Sequence, residues 1–171
     1  SLYDEMAPRA AQLATFTAFF KSQGYRTSAC LPGNYRSDLG ADPYARDVVL
    51  DVPALAYDGP RYGYVGIPDQ FSLRAYRSRV LATETAPHLA FYLSISTHIP
   101  WPVIPFEGGP EWPAIEGAAR IVTPSHAAYF HTVEYQWRTL LECIEQESGD
   151  DAVFLLVGDH QPMLDGTTPM D

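Results

Sequence analysis

His88-Leu89-Ala90-Phe91-Tyr92-Leu93-Ser94-Ile95-Ser96 is a near-continuous apolar run of strand length. A strand with one wet face alternates polar and apolar residues, whereas one covered on both faces by helices does not alternate. The run therefore predicts a central strand of a parallel sheet. The elements around it agree. Leu13, Phe16, Phe19 and Phe20 fall at three-to-four spacing before Gly24, predicting a helix from Leu13 to Gln23. Tyr25 to Leu31 reads as a short strand stopped by Pro32-Gly33-Asn34. Residues 32 to 68 are an irregular excursion in which Val48 to Val52 is the one plausible strand. Asp69 caps a helix predicted to run to about Ala86, with Phe71, Leu73, Tyr76 and Val80 inward and Arg74, Arg77 and Arg79 mostly outward. After the Pro- and Gly-rich loop from Thr97 to Ile121, Thr123-Pro124 opens a long helix whose predicted apolar face is Tyr129, Val133, Trp137, Leu140, Leu141 and Ile144. Ala152 to Val157 is a second strongly apolar strand, ending in Gly158-Asp159-His160-Gln161-Pro162. Repeated helix-then-strand units predict an α/β fold, three-layer α/β/α with a mostly parallel sheet.

The chain has 171 residues and 19.0 kDa, the size of one compact domain. With 46% hydrophobic and 19% charged residues it can build a core, which excludes intrinsic disorder. Eleven Lys and Arg against 21 Asp and Glu give a formal charge of -10, which argues against nucleic acid or an anionic membrane as partner unless bound cations reverse the local field. Lys21 is the sole lysine; the other cationic side chains are arginines, which grip oxyanions in a bidentate way. Neither a signal peptide nor an apolar span of membrane length is present, and a chain that begins in mid-pattern at Ser1 is expected to be a segment of something larger. Cys30 and Cys143 lack CxxC spacing and a third partner, so they make no zinc site; two buried thiols are expected, with one disulfide the alternative.

In parallel sheets ligands bind at the carboxyl ends of the strands, and the polar clusters of this chain fall there. Asp159 and His160 place a carboxylate and an imidazole side by side where a strand opens into a loop, a pair suited to a divalent cation such as Zn or Mn. Gly158 lets the two side chains converge. The plainer alternative is that Asp159 caps a turn and His160 is a loop histidine. His98, after Ser96-Thr97 and before Pro100 and Trp101, can donate to an anionic oxygen or act as an acid in a loop those residues stiffen and wall; the plainer alternative is a surface histidine. Arg36 can clamp a phosphate-like group or simply be solvated. His126 and His131 are five apart, off the spacing that lets two helical imidazoles share a metal, and no Gly-x-Ser-x-Gly elbow, Walker loop or Gly-x-Gly-x-x-Gly is present.

Gly24-Tyr25-Arg26-Thr27, Tyr57-Asp58-Gly59-Pro60 with Ile67-Pro68-Asp69-Gln70-Phe71, Ser96-Thr97-His98-Ile99-Pro100-Trp101, the helix from Tyr129 to Ile144 and Val157-Gly158-Asp159-His160-Gln161-Pro162 follow one another in an order that resembles the sulfatase-like part of the alkaline phosphatase superfamily, in particular bacterial membrane sulfatases and lipoteichoic-acid-synthase-like phosphoglycerol transferases. The resemblance implies an alkaline-phosphatase-like fold, incomplete here, with residues 1–171 a middle-to-late segment of the catalytic domain. It implies a metal-dependent hydrolase or transferase acting on phosphate or sulfate esters outside the cytoplasm, in the periplasm or on the outer face of the inner membrane, with any membrane association through an upstream segment. Asp159 and His160 would hold the metal (Mn, Zn, Ca or Mg), and His98 would contact the substrate oxyanion. Asn34, Arg36, Thr97 and Trp101 would line the substrate side, although the loop of Asn34 and Arg36 lacks the Trp-x-Arg pattern of the lipoteichoic acid synthases. The family's nucleophile, a hydroxyl or thiol-derived group activated by the metal, has no match between Ser1 and Leu13 and is expected outside the chain, leaving these residues inactive alone. The rival from another class is a non-catalytic anion- or protein-binding module on the same scaffold.

Overall fold

Strand β1 (Arg26–Leu31) is buried from Thr27 to Leu31 and carries the small residues Ser28, Ala29 and Cys30, over which covering helices can approach closely. It is the middle strand of a parallel sheet of order β2-β1-β3, with Ser28 opposite both Val48 of β2 (Val48–Asp51) and Ala90 of β3 (His88–Tyr92). The computed structural model of the chain describes residues 14–35, 44–64, 66–108, 124–147, 149, 151–160 and 162, with the side chains of 124–126 left aside. It forms two compact units, Ser1–Gly59 with Phe71–Ser94, and Pro60–Gln70 with Ile95–Asp171.

The sheet belongs to the first unit. Helix α1 (Phe16–Ser22) starts at Thr15, whose hydroxyl accepts the Ala18 N–H at 3.0 Å, and gives way at Gly24, whose φ of +84° lets the chain turn into β1. The short helix α2 (Val52–Leu55), not anticipated from the sequence, is capped by the Asp51 carboxylate on the Ala54 N–H (3.0 Å), and its last carbonyls accept from Arg79. Helix α3 (Asp69–Arg79) buries Leu73, Tyr76 and, just beyond it, Val80, as the periodicity predicted, but gives way to a 3-10 turn at Leu81–Thr83 before Ala86. Lys21 ties α1 to the start of β2, donating to the Ala45 carbonyl (2.9 Å) and to Asp47 (2.8 Å).

Three expectations are corrected. The 88–96 run is not the central strand: β3 ends at Tyr92 and lies at the sheet edge among the described residues, with Phe91 half exposed. The central strand is β1, whose Thr27 and Ser28 hydroxyls and Cys30 thiol make it read as only weakly apolar. Residues 152–157 belong to no sheet among the described residues, with Val153 95%, Leu155 85% and Val157 79% exposed. An apolar run becomes a strand only where a neighbour meets its backbone groups. Apolar spacing also misplaced two helix faces. On α1 Phe16 and Phe19 are exposed, stacking edge-on with Phe20. On α4 (Pro124–Glu147), in the second unit, the most buried positions are Thr132, Tyr135, Gln136 and Thr139, while Trp137 and Leu141 are exposed. Cys30 is buried and Cys143 half-buried, both as thiols rather than a disulfide.

The polar groups of β1 are met by specific partners. Asp47 accepts from the Thr27 N–H (2.9 Å) and hydroxyl (3.1 Å); partial burial pushes its carboxyl up, but Lys21 and Thr27 outweigh that and hold it at about 2. Ser28 Oγ meets Tyr76 OH on one side and His88 Nε2 at 2.6 Å on the other. Burial raises the Tyr76 phenol against the opposing pull of its bond to Ser28. Ser28 Oγ thus joins Tyr76 of α3 to His88 of β3, and with Nε2 unprotonated the Ser28 O–H donates to the ring. Burial, helped by Arg26, lowers the His88 pKa against the opposing pull of Glu84 and Asp47. A base with a depressed folded pKa binds its proton more readily unfolded, so stability falls as pH drops from its usual 6.5 through the lower folded value. Asp47, depressed from 3.8 to about 2, adds a second loss in that lower window. Urea unfolding followed from neutral to strongly acidic pH is expected to show both declines, with His88→Gln abolishing the first and leaving the second. A wild-type slope retained in His88→Gln would refute the assignment of the first decline to His88.

Candidate functional site

The second unit holds the loop in which His98 lies, and two consecutive residues at the start of α3 fix it. Asp69 is fully buried, and its carboxylate accepts the Ile95 N–H (3.0 and 3.2 Å) and the Ser96 N–H (2.8 Å), while its own N–H donates to Ser96 Oγ at 3.1 Å. Charge-assisted acceptance of two backbone donors is among the stronger uses of a carboxylate. Gln70 pairs its side-chain amide with the Glu107 backbone in both directions, Nε2–H to the carbonyl (2.9 Å) and N–H to Oε1 (2.8 Å). Its Nε2 also reaches Glu142 (3.0 Å) and its N–H donates to Tyr135 OH (3.0 Å) on α4. Residues 95 and 107, the two ends of a proline-rich loop, are thereby pinned by neighbours in the chain.

Between those ends the chain turns, with the His98 N–H donating to the Ile95 carbonyl at 2.9 Å, and Ile99–Pro100 is a cis peptide. His98 Nδ1 lies 2.7 Å from the Ile99 carbonyl oxygen. A carbonyl only accepts, so Nδ1 carries the hydrogen and Nε2 is the nitrogen left to meet a ligand. Trp101 donates its indole N–H to the Thr97 carbonyl (3.0 Å) and packs edge-on against Tyr129 of α4 (5.5 Å). Thr97, His98 and Trp101 thus form one structured turn, all three half-buried.

Asp159 and His160 lie just after the 152–157 segment with Oδ2 and Nε2 3.7 Å apart and both side chains largely exposed. Two ligands at about 2.1 Å from one ion at the tetrahedral angle stand roughly 3.4 Å apart, so the spacing fits a pair of ligands. Two donors do not make a site on their own, and among the described residues no group of three or more His, Cys, Asp or Glu is placed to hold a metal. Asn34 belongs to the other unit, at the carboxyl end of β1, where its N–H donates to the Leu31 carbonyl (3.0 Å) and its carbonyl accepts from Val52 (2.9 Å). Arg36 lies outside the described residues.

No protein-family model and no curated protein matches the sequence. Solved structures do match. The lipoteichoic acid synthase LtaP from Listeria monocytogenes aligns with a TM-score of 0.57 at 15% identity, over 76% of this chain and 31% of that one. A protein in the alkaline phosphatase superfamily from Vibrio parahaemolyticus aligns with a TM-score of 0.50 at 18% identity, over 78% and 32%. The fold is that of the alkaline phosphatase superfamily. The chain spans about a third of the length of these two structures.

Within this alkaline-phosphatase-like fold, the residues that hold the His98 turn are the ones sequence reasoning passed over. Asp69 was legible as a helix start, and its second task, capping the backbone of residues 95 and 96, is long-range and leaves no periodic trace. Removing the carboxylate strands one buried and one part-buried backbone donor, each worth about 1–3 kcal/mol when fully buried. Asp69→Ala is therefore expected to destabilise the unit by roughly 2–4 kcal/mol in urea unfolding and to shift the amide resonances of Ile95 through His98. Unmoved resonances there would show that the turn is held by something else.

Proposed function

We propose that this chain carries part of the ester-binding site of an extracytoplasmic, divalent-metal-dependent hydrolase or transferase acting on phosphate or sulfate esters, with the attacking hydroxyl or thiol supplied from outside these residues. The observation that carries the reading is the His98 turn: a histidine whose Nδ1–H is committed to a backbone carbonyl, leaving Nε2 for a ligand, on a loop clamped by Asp69 and Gln70 within an alkaline-phosphatase-like fold. The matched LtaP is a lipoteichoic acid synthase, which favours phospho-transfer over sulfate hydrolysis as the first activity to assay.

In this reading His98 contacts an oxygen of the ester through Nε2. Thr97 and Trp101 hold and wall its turn, and Asn34 and Arg36 serve the substrate side. Asp159 and His160 are two ligands of a divalent cation (Mn, Zn, Ca or Mg), whose charge would draw the anionic ester and ease the developing negative charge on its oxygens. The overall charge of -10 supports that assignment, because an anionic chain needs a bound cation to receive an anionic substrate, and it favours no nucleic-acid partner. Among the described residues no helix is long and apolar enough to cross a membrane.

In the intact protein, Asp159→Ala and His160→Ala are each expected to abolish ester turnover and lower metal retention by roughly tenfold or more, measured by metal analysis after dialysis. His98→Ala is expected to lose turnover while retaining the metal. Full turnover in both metal-ligand variants would sink the assignment, and anion binding without any turnover would favour a binding module instead.

A further inference from the structure

Tyr64 is absent from every role assigned so far. It lies in the turn that precedes α3, closed by the Tyr62 N–H on the Gly66 carbonyl (3.1 Å) with Gly63 and Gly66 both at positive φ. Gly63 brings that turn close to the His98 loop: a Cβ placed on it would already stand 3.4 Å from the Pro100 carbonyl oxygen and from Pro102 Cδ. The Tyr64 ring lies over the His98 imidazole, with centroids 4.3 Å apart and planes inclined by 31°. It is nevertheless 64% exposed, so its burial contributes little to the core.

We propose that Tyr64 is a positioning residue for His98. A histidine side chain has two rotatable bonds, and the His98 backbone, held through Ile95, fixes neither. One contact lies in the ring plane, Nδ1–H on the Ile99 carbonyl, and one lies on the ring face, Tyr64. The hydrogen bond alone leaves the ring free to tip about its axis, and the stack alone leaves it free to turn in its plane. Together they fix the tautomer and aim Nε2, which donates to an oxyanion as imidazolium or takes a proton from a hydroxyl as neutral imidazole. The assignment rests on the proposed function for what Nε2 meets, but the ring geometry can be read without any substrate.

The test is long-range nitrogen–proton NMR of the His98 ring at neutral pH in the wild-type chain and in Tyr64→Phe, Tyr64→Leu and Tyr64→Ala, followed by titration with inorganic phosphate. Wild type and Tyr64→Phe are expected to show a protonated Nδ1 and an unprotonated Nε2, with phosphate shifting Nε2 toward the protonated signature. Tyr64→Leu and Tyr64→Ala are expected to show nitrogen shifts averaged between tautomers and phosphate affinity weakened about three- to tenfold, the scale of one aromatic pair. Tyr64→Leu keeps the bulk of the side chain, so it separates loss of the ring face from loss of packing. A wild-type ring signature in Tyr64→Leu, or a Tyr64→Phe chain that behaves like Tyr64→Ala, overturns the proposal. Phosphate binding unchanged in His98→Gln would count against the proposed function instead, and the ring signatures would still decide the role of Tyr64.

Discussion

A buried carboxylate must find donors, and in this chain the Asp69 carboxylate finds them in the backbone of Ile95 and Ser96. That requirement converts a helix start into a clamp on a loop distant in sequence. The neighbouring residue repeats the arrangement at the other end, where the Gln70 amide pairs with Glu107 as one strand pairs with another. A proline-rich loop has few backbone donors of its own and cannot stiffen itself by regular hydrogen bonding. Here its two ends are held by adjacent residues of one rigid helical turn, so the span between them, with Thr97, His98 and Trp101, inherits a fixed origin.

The same economy governs the sheet. β1 is central without being strongly apolar, because its Thr27, Ser28 and Cys30 each meet a specific partner: Asp47, the Tyr76 and His88 pair, and the Ser72 carbonyl at 3.7 Å. A fully satisfied buried polar group costs little and specifies geometry, whereas the same group unpaired would destabilise the strand. The small side chains let α3 approach, and the hydroxyls say where along β1 its Tyr76 must sit.

This explains what was legible. Helices α1, α3 and α4 and the strand at 26–31 followed from periodicity and caps, because those signals are local. The rank of the strands was not, since hydropathy assigns the centre to the most apolar run, and the 88–96 run lies at the edge while polar β1 is covered. The faces of α1 and α4 failed for a related reason: Thr132, Tyr135, Gln136 and Thr139 are the positions α4 buries, so a rule that sends apolar residues inward selects other positions. Of the candidate site, His98 and the Asp159–His160 pair were named from residue type where an apolar run opens into a loop. Asp69, Gln70 and Tyr64 were not, because each acts through a contact whose partner lies roughly thirty residues away and leaves no composition signal.

The state of His98 links these levels. With Nδ1–H spent on the Ile99 carbonyl, a neutral ring presents a lone pair at Nε2, which repels an oxyanion; only the imidazolium donates there. In the proposed function, gripping an anionic ester through His98 therefore calls for a proton on Nε2. The chain's excess of carboxylates opposes an incoming anion. In that proposal the opposition is offset if the cation that balances the ester's charge is held apart from the ring, as a carboxylate and imidazole pair like Asp159 and His160 would hold it, while Nε2 answers to a single oxygen. A loosely held ring would lose this division of labour, since its second tautomer places the proton on Nε2 and leaves the Ile99 carbonyl unmet. The rigidity of the turn is thus a chemical requirement, set by the difference between a nitrogen that donates and one that accepts.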